Sequence, residues 1–563
     1  MNILKRKISK HSVVIGLIIA AGFLLRFRQY FYNKSLWLDE ASLALNIIHR
    51  PWWQLFKPLD YLQGAPVGFL LIEKFFIYLF GSGEYVLRLF PFISALAALF
   101  LFFNVARFLL DRDALVLAMT LMSFSGVLIY YSSECKQYSS DVFLALIVLN
   151  IFLRPYRPMI SVVRALALGL MCAVFIFISH PIFFVLLGIA VVNVGSCIRE
   201  KKWLTMAGLL SVFVFGLISF VIAYFVSLRS LTMTQPLVGW SRGFVPHLSF
   251  SLRSLQSLTQ WFQGNDSLGF LIDVRPAWVS LGLLVIGSYS MFRERRRDFL
   301  ILGLPVFFVF VASVFHKYPF YQRMLLFLIP SVLIILSKGF SELLRFLPSN
   351  KVKSILIILC MCFLLFVPVV KAMISGFFPY GAESLKPVLS YVSSYARSFP
   401  RTNPTVYLSN RAVSAFQYYA PRYGLDKNRC IVMPYKPSRA EFKKDMNRLV
   451  GTKKVWVIAS GISEARQIEE ESFYLGYLDR KGPRLRAFKC NDASAYLYDL
   501  SRPRRAGTNS VPAKTLKVEG SGKYVRRATR ALWFIERVTG SRCVPCLLIL
   551  ERFFNALRAY VYS

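Results

Sequence analysis

The chain has 563 residues, of which 56% are hydrophobic and 16% aromatic, and it carries a formal net charge of +39. Soluble globular proteins are usually less apolar than this, so composition excludes an ordinary soluble domain. In a soluble protein such a charge would suggest a nucleic-acid partner. Here Lys and Arg flank long apolar runs, as they do in membrane helices that face anionic lipid. We therefore predict a polytopic membrane protein whose partners include membrane lipids and no nucleic acid.

Apolar runs long enough to cross a bilayer, about 20 residues, recur through the first two thirds of the chain. The basic N-terminus leads into the first run without a small-residue cleavage site, which favours a retained helix over a cleaved signal peptide. Eleven transmembrane spans are predicted, at 12–28, 88–109, 114–131, 141–153, 164–180, 182–198, 204–227, 277–292, 298–315, 321–338 and 353–371.

The loops between these spans alternate between many and few basic residues, and the positive-inside rule places the basic set in the cytoplasm. Residues 29–87, the loop 228–276 and everything after 371 then face the exterior of the inner membrane. The apolar segment 65–81 contains Glu73 and Lys74. A crossing there would invert every later loop, so we predict a helix lying on the outer interface.

Beyond the last span, short β-rich runs alternate with helical ones, which is typical of a small α/β domain. Cys430 and Cys490 could pair in such a domain, although spacing alone leaves this open. The predicted organisation is a transmembrane domain at 1–375 with its first outer loop at 29–87, an extracytoplasmic α/β domain at 376–500, a linker at 501–523 and a basic amphipathic helical tail at 524–563.

Asp39 and Glu40 stand side by side in "SLWLDEASLAL", just after the first span. Two interpretations fit them equally well. Asp39 could cap a helix, with Glu40 favouring the helix dipole. Alternatively, Asp39 could act as general base on an acceptor hydroxyl or amine.

The other candidates share the predicted outer side, where ionisable residues near membrane depth are functional candidates by default. A cluster of Lys, Arg and His can bind a lipid phosphate and stabilise it as a leaving group. Simpler interpretations also fit: a solvated pair of Glu134 and Lys136 in the loop 132–140, a turn at His180, and lipid headgroup contacts of Lys317 and Arg323. The candidates are Glu134, Lys136 and Tyr138, then His180, and then His316, Lys317, Tyr321 and Arg323.

Several motifs over residues 1–500 resemble the polyprenyl-phosphate-dependent glycosyltransferases of the C-type fold. The closest resemblance is to family 39 and the galacturonosyl-transferase-like branch, whose relatives include protein O-mannosyltransferases and lipid A aminoarabinose transferases. Ala65 stands where the family usually has the first residue of a Pro-Pro pair, and Lys136 stands where Arg is common. The motifs are "SLWLDEASLAL", "QGAPVGFLLIEKFFIYLFGSGEYVLRLFP", "YYSSECKQYS", "SHPIFF" and "YPFYQRMLLFLIP".

The resemblance implies an inverting transfer of a sugar from a polyprenyl-phosphate donor to a glycan, lipid or protein acceptor. Asp39 would be the catalytic base, with Glu40 beside it and Glu134 as the second acidic residue. Some enzymes of this class use Mg²⁺ or Mn²⁺ and some do not, so metal binding by Asp39 and Glu134 stays open.

We further predict that the donor phosphate is bound by Lys136, His180, His316, Lys317 and Arg323. Tyr138 and Tyr321 are assigned to substrate. Two other functions fit the sequence: a transporter or flippase of a lipid-linked saccharide, and a non-catalytic protein of envelope assembly. Transporters tend to show internal repeats and charges near the midplane, whereas these charges sit at one face.

Overall fold

A computed structural model describes two compact units of the chain. The helical unit comprises Met1–Asn33 and Leu43–Pro379, and the sheet unit comprises Lys34–Ser42 and Tyr380–Ser563. The predicted tail at 524–563 lies outside the described residues. These are 10–154, 162–229, 243–246, 271–272, 274, 277–345, 351–377, 383–398, 405–426, 430–433, 439–461, 465–490, 492–501 and 515–517.

The helical unit is built from long apolar helices, because only intrahelical hydrogen bonds satisfy the backbone of a single segment in lipid. The helix α2, Leu38–His49, starts in the sheet unit and continues into this one. The other helices are α1 Lys10–Tyr32, α3 Val67–Phe80, α4 Glu84–Leu87, α5 Leu89–Leu109, α6 Arg112–Phe124, α7 Gly126–Tyr131, α8 Tyr138–Phe152, α9 Val162–Ile178, α10 Ile182–Arg199, α11 Trp203–Ala223, α12 Ala277–Glu294, α13 Arg296–Val314, α14 Ile329–Arg345 and α15 Lys351–Phe377.

Each of the eleven predicted spans overlaps at least one helix, so the polytopic helical architecture is confirmed. Among the described residues, seven helices are long and apolar enough to cross a membrane. The predicted spans outside that seven are 114–131, 141–153, 164–180 and 277–292. The predicted interfacial helix is α3, whose 14 residues extend about 21 Å, short of the roughly 30 Å hydrocarbon core.

The predicted span 114–131 is broken at Ser125, which separates α6 from α7. The buried Arg26 of α1 donates to the carbonyl oxygens of Met122 and Ser123, each at 3.1 Å. Helix ends leave carbonyls without intrahelical partners, so this guanidinium satisfies the break from inside the bundle. Helix α7 follows the break and ends at Tyr131, a residue of the candidate site.

The sheet unit contains a six-stranded mixed sheet with strand order β2-β1-β3-β5-β4-β6. β1 pairs in parallel with β2 and β3, whereas β5 runs antiparallel to β3 and β4. β6 lies within the segment predicted as a linker. The elements are α16 Leu385–Ser398, β1 Thr405–Leu408, α17 Val413–Tyr419, β2 Cys430–Val432, α18 Arg439–Asn447, β3 Val455–Ser460, α19 Ala465–Lys481, β4 Arg484–Cys490, β5 Ala493–Tyr498 and β6 Thr515–Lys517.

Helices cover both faces of the sheet, which explains why every residue of β3 is buried. On one face, Tyr391 of α16 stacks on Phe488 with ring centres 4.6 Å apart. On the other, Phe442 of α18 packs in the same cluster as Tyr474 of α19. The α/β domain expected from the sequence is therefore confirmed.

The sheet also resolves the two cysteines whose pairing the sequence left open. Cys430 lies in β2 and Cys490 in β4, and both thiols are free. Three strands separate β2 from β4, so the two strands lie roughly 19 Å apart at about 4.8 Å per strand. That distance is beyond the reach of a disulfide.

Candidate functional site

Asp39 and Glu40 fold as part of the sheet unit, although they precede most of it by more than 300 residues. The amide of Ala41 donates to the carbonyl oxygen of Trp37 at 2.9 Å, and α2 begins at Leu38. Asp39 is thus the second residue of the helix, and the interpretation of Asp39 as the N-cap is wrong. Both acids still lie in the first turn, where the helix dipole favours negative charge.

The two acids differ in their exposure. Asp39 is partly exposed, whereas Glu40 is fully buried. A general base must come within hydrogen-bond reach of the proton that it accepts. Asp39 is the member of the pair that satisfies this requirement.

Hydrogen bonds from α17 and its C-terminal end hold the segment 34–42 in the sheet unit. The hydroxyl of Tyr419 accepts from the amide of Leu36 at 2.8 Å, and the hydroxyl of Ser42 donates to that of Ser414 at 2.8 Å. Both bonds are buried, so they order the chain on either side of the acidic pair.

In the helical unit, three of the predicted site residues interact with Tyr131. Arg323 forms a side-chain hydrogen bond with Tyr131, and Glu134 interacts with the same tyrosine electrostatically. The Tyr131 and Tyr138 rings meet edge to face at 5.0 Å, and the Arg323 guanidinium carbon lies 5.9 Å from the centre of the Tyr138 ring. Glu134 is fully buried. The structure therefore brings Glu134, Tyr138 and Arg323 together.

Three further residues extend this group: Tyr318, which belongs to the same polar loop as Arg323, and Asp141 and Ser179, which were missed from the sequence. Asp141 lies in the first turn of α8, is buried, and interacts with Ser179 and Tyr318. An ionisable residue in the first turn of an apolar helix was the signal that could have found it. We call the whole group the tyrosine end of the helical unit; it consists of Tyr131, Glu134, Tyr138, Asp141, Ser179, Tyr318 and Arg323.

Lys136 is buried beside the tyrosine end, and its ammonium donates to the side-chain oxygen of Gln63 at 2.7 Å. Its backbone amide donates to the carbonyl of Glu134 at 2.7 Å. Since both Lys136 and Glu134 are buried, the alternative of a solvated ion pair is wrong. The contact with Gln63 also joins the "QGAP" segment to the second acidic loop.

His180 lies in the turn between α9 and α10, and its Nε2 is 3.1 Å from the Ser227 hydroxyl. The imidazole is therefore a hydrogen-bonding group in this turn, with the Ser227 hydroxyl as a partner.

The remaining predicted residues lie in the loop that follows α13. His316 stacks on Phe244 with ring centres 5.1 Å apart, Lys317 is exposed, and Tyr321 lies against Gly243. Ser313 ties this region together, since its hydroxyl accepts from the amides of Val245 and Phe320. The loop thus faces the segment 243–246.

An apolar cleft of about 480 Å³ lies between α3, α9 and α11. It reaches Ile178, the last residue of α9 and the neighbour of Ser179. Its lining includes Gly68, Leu71, Phe177, Ile178, Phe215 and Ile222.

Metal binding needs several donor groups close together. Among the described residues, no three side chains of His, Cys, Asp and Glu form a group that could hold a metal ion.

Comparison with solved structures identifies proteins of similar architecture. ArnT from Cupriavidus metallidurans bound to undecaprenyl phosphate is 12% identical, with 87% of this chain and 99% of that chain covered and a TM-score of 0.50. ArnT in the apo state is 12% identical, with 88% and 100% covered and a TM-score of 0.48. The oligosaccharyltransferase AglB from Archaeoglobus fulgidus, in complex with an inhibitory peptide and a dolichol-phosphate, is 11% identical, with 89% and 75% covered and a TM-score of 0.43.

No protein-family profile and no curated protein sequence matches the chain. The likeness to ArnT bound to undecaprenyl phosphate shows a shared fold. The C-type glycosyltransferase fold expected from the sequence is thus confirmed.

Proposed function

We propose that the protein is an inverting membrane glycosyltransferase that moves a sugar from a polyprenyl-phosphate donor to a glycan, lipid or protein acceptor. In this proposal the chain spans the inner membrane several times, and the reaction takes place on the exterior side.

The observation that carries the proposal is an apolar cleft whose lining includes Ile178, the residue before Ser179 of the tyrosine end. A polyprenyl-phosphate has a long apolar chain and an anionic head, so it needs an apolar channel that leads to cationic donors. The cleft reaches Ile178, and the adjoining Ser179 belongs to the tyrosine end with Arg323. The fold shared with ArnT bound to undecaprenyl phosphate supports the same ligand class.

The proposed reaction is a single displacement at the anomeric carbon. The Asp39 carboxylate accepts the proton of the acceptor hydroxyl or amine, whose oxygen or nitrogen bonds to the anomeric carbon. The bond from that carbon to the phosphate oxygen breaks, and the polyprenyl phosphate leaves with the bonding electron pair. Attack from the face opposite the leaving group inverts the anomeric configuration.

Cationic donors would stabilise the charge that develops on the leaving phosphate, which is where preorganised groups contribute most. Arg323 is the primary candidate, with Lys136, His180, His316 and Lys317 as further phosphate ligands. Tyr138 and Tyr321 would contact the sugar.

We expect Asp39→Asn to lower turnover by two orders of magnitude or more, because an amide cannot accept the proton. Purified protein in detergent would be supplied with undecaprenyl-phosphate hexoses and pentoses, and products would be identified by mass spectrometry. Acceptors would come from comparing surface glycans and lipids with and without the protein.

The matched control is Asp60→Asn, since Asp60 is an exposed acid of the same predicted outer loop that pairs with Arg50 at 2.9 Å. This variant should keep wild-type turnover. Full turnover by a correctly inserted Asp39→Asn protein would remove Asp39 from the base role. Detergent offers no second compartment, so movement of a saccharide in vesicles without any product in detergent would favour the transporter.

A further inference from the structure

Glu383 is a buried carboxylate at the start of the described part of the sheet unit after the last span, two residues before α16. Its Oε2 accepts a hydrogen bond from the backbone amide of Leu38 at 2.8 Å. Its Oε1 accepts from Nε and Nη2 of Arg411, at 3.1 and 3.0 Å. Only 2% of the Glu383 side chain is exposed, against 30% for Arg411.

The amide that Glu383 binds belongs to the first residue of α2. The first amides of a helix have no intrahelical acceptor, and a carboxylate there satisfies one of them and complements the helix dipole. Leu38 directly precedes Asp39 and Glu40 in the same turn. A residue 345 positions away in the chain therefore holds the turn that carries the proposed base.

The backbone of Glu383 gives a second and independent sign of a specialised position. Its φ is +50°, in the left-handed region that glycine favours, and its amide donates to Asp492 at 3.4 Å. Such a conformation in a non-glycine residue persists only where the surroundings impose it, and such residues cluster at functional sites.

We propose that Glu383, oriented by Arg411, is a positioning residue that fixes the first turn of α2 and thereby sets the orientation of Asp39 in a pH-dependent way. This inference rests on the proposed glycosyl transfer, in which Asp39 is the base. Glu383 touches neither donor nor acceptor in it and acts only through the helix.

The pH dependence follows from the surroundings of the carboxyl group. Burial raises the pKa of Glu383 to about 7, and Asp492 adds to the rise, whereas Arg411 and the Leu38 amide oppose it. Above that pH both oxygens accept hydrogen bonds. Below it one oxygen carries a proton, and a hydroxyl facing an N–H donor loses that contact. Turnover should therefore increase as the pH rises through about 7.

The first experiment compares Glu383→Gln with wild type across pH 5 to 9 in the donor assay. Glutamine keeps one acceptor oxygen but cannot bind Leu38 and Arg411 together without bringing an amide N–H against a donor. We expect kcat to fall about tenfold through misplacement of the base, with the donor KM within twofold and the rise near pH 7 lost.

Glu471→Gln is the matched control. Glu471 is also a buried acid of the sheet unit and accepts from the hydroxyls of Ser494 and Tyr496. Its loss should affect the stability of the unit without changing the pH profile. A wild-type profile in Glu383→Gln, or the same altered profile in Glu471→Gln, would overturn the proposal.

Arg411→Gln provides a test that a purely structural role would not pass. Removing this cation takes away an interaction that lowers the pKa of Glu383, so the rise in turnover should move to higher pH. An unchanged midpoint in Arg411→Gln would contradict the proposed coupling.

Thermal unfolding tests the same ionisation of Glu383, but here stability should fall as pH rises, whereas turnover should rise. Because the pKa of Glu383 is higher in the folded protein than its usual value of 4.5, the folded state binds more protons between these two values. Wild type should therefore lose stability relative to Glu383→Gln as pH rises from 4.5 to 7, and the difference should stay constant above 7. A constant difference over the whole range would contradict the assignment.

Hydrogen exchange separates failure of this inference from failure of the proposed function. In full-length protein at pH 8, exchange at Leu38–Ser42 should be about tenfold faster in Glu383→Gln than in wild type, through local opening of the turn. The Glu471→Gln control should match wild type in that peptide. Unchanged exchange in Glu383→Gln would contradict the positioning role. Faster exchange in that variant, with no transferase activity in wild type, would contradict only the proposed transfer reaction.

Discussion

The two ends of the helical unit use their charged residues differently. At one end, Arg297 donates to the carbonyl oxygens of Phe152 and Leu153 at 2.9 and 3.0 Å and to the Asn193 side chain at 3.0 Å. At the tyrosine end, Arg323 instead forms a side-chain hydrogen bond with Tyr131 and lies over the ring of Tyr138. Helix α8 connects the two, with Tyr138 as its first residue and Phe152 as its last, about 22 Å apart.

We call the first region the basic end; it consists of Asp111, Asn193, Glu294, Arg297, Lys338 and Arg345. Its charged side chains bind the ends of helices and pair with one another. The ammonium of Lys338 lies 2.7 Å from Glu294, and Asp111 accepts from the amide of Ala114 at the start of α6. The basic end thus resembles a set of helix caps, whereas the tyrosine end places buried carboxyl groups among phenol side chains. Arg297, Lys338 and Arg345, which counted among the orientation signals of the sequence, thus make structural contacts. The chemical candidates lie at the tyrosine end.

The largest effect should come from removing one arginine at each end. Arg323→Gln should lower kcat a hundredfold or more, since the proposed leaving phosphate loses a cationic donor, with little change in thermal stability. Arg297→Gln should leave kcat unchanged and lower the free energy of unfolding by about 1–3 kcal/mol, because buried acceptors are left unsatisfied. Donor turnover and thermal unfolding in detergent measure both. Stability loss without kcat loss in Arg323→Gln would make the two ends equivalent.

A smaller effect should come from the helix crossing that brings the pair Glu294 and Lys338 together. A β-carbon on Gly287 of α12 would overlap the carbonyl oxygen of Ile335 in α14. Gly287→Ala should therefore lower the free energy of unfolding by about 2 kcal/mol, as overpacking does. The control is Gly282→Ala on the same helix, where a β-carbon would meet nothing within 4 Å. Equal unfolding temperatures in the two variants would contradict the close crossing.

The smallest effect should come from the ion pairs of the basic end. The Glu294 side chain is 45% exposed and pairs with Lys338 and Arg345 at 2.7 and 3.1 Å. Exposed pairs contribute about 1 kcal/mol or less, so Glu294→Gln should change stability by no more than that and leave kcat unchanged. The difference should shrink further in high salt. A larger loss would mean that these pairs, and not the helix caps, hold the basic end together.

Much of the architecture could be predicted because it depends on local pattern. Apolar runs of a given length predict helices wherever they occur, and the β-rich runs 405–409, 453–460 and 494–500 predicted strands β1, β3 and β5. The strands β2, β4 and β6 were missed. β2 and β6 have only three residues each, and only two of the seven residues of β4 are buried. Their strand conformation therefore depends on pairing in the sheet more than on their own composition.

The candidate site was predictable only in part, for a similar reason. Glu134, Tyr138 and Arg323 stood out as polar residues in the loops of an apolar chain, and their proximity through Tyr131 agrees with a shared site. Asp141 was hidden inside the predicted span 141–153.

By itself, the sequence determined the membrane class, the helices, the α/β unit and the acidic pair, since each of these follows from composition or local periodicity. The tertiary structure decided the surroundings of the pair. It moved residues 34–42 into the sheet unit, buried Glu40, left Asp39 partly exposed, and supplied the cap from Glu383. A hydrogen bond between residues 345 positions apart depends on how the chain folds back, and no local pattern encodes that distance.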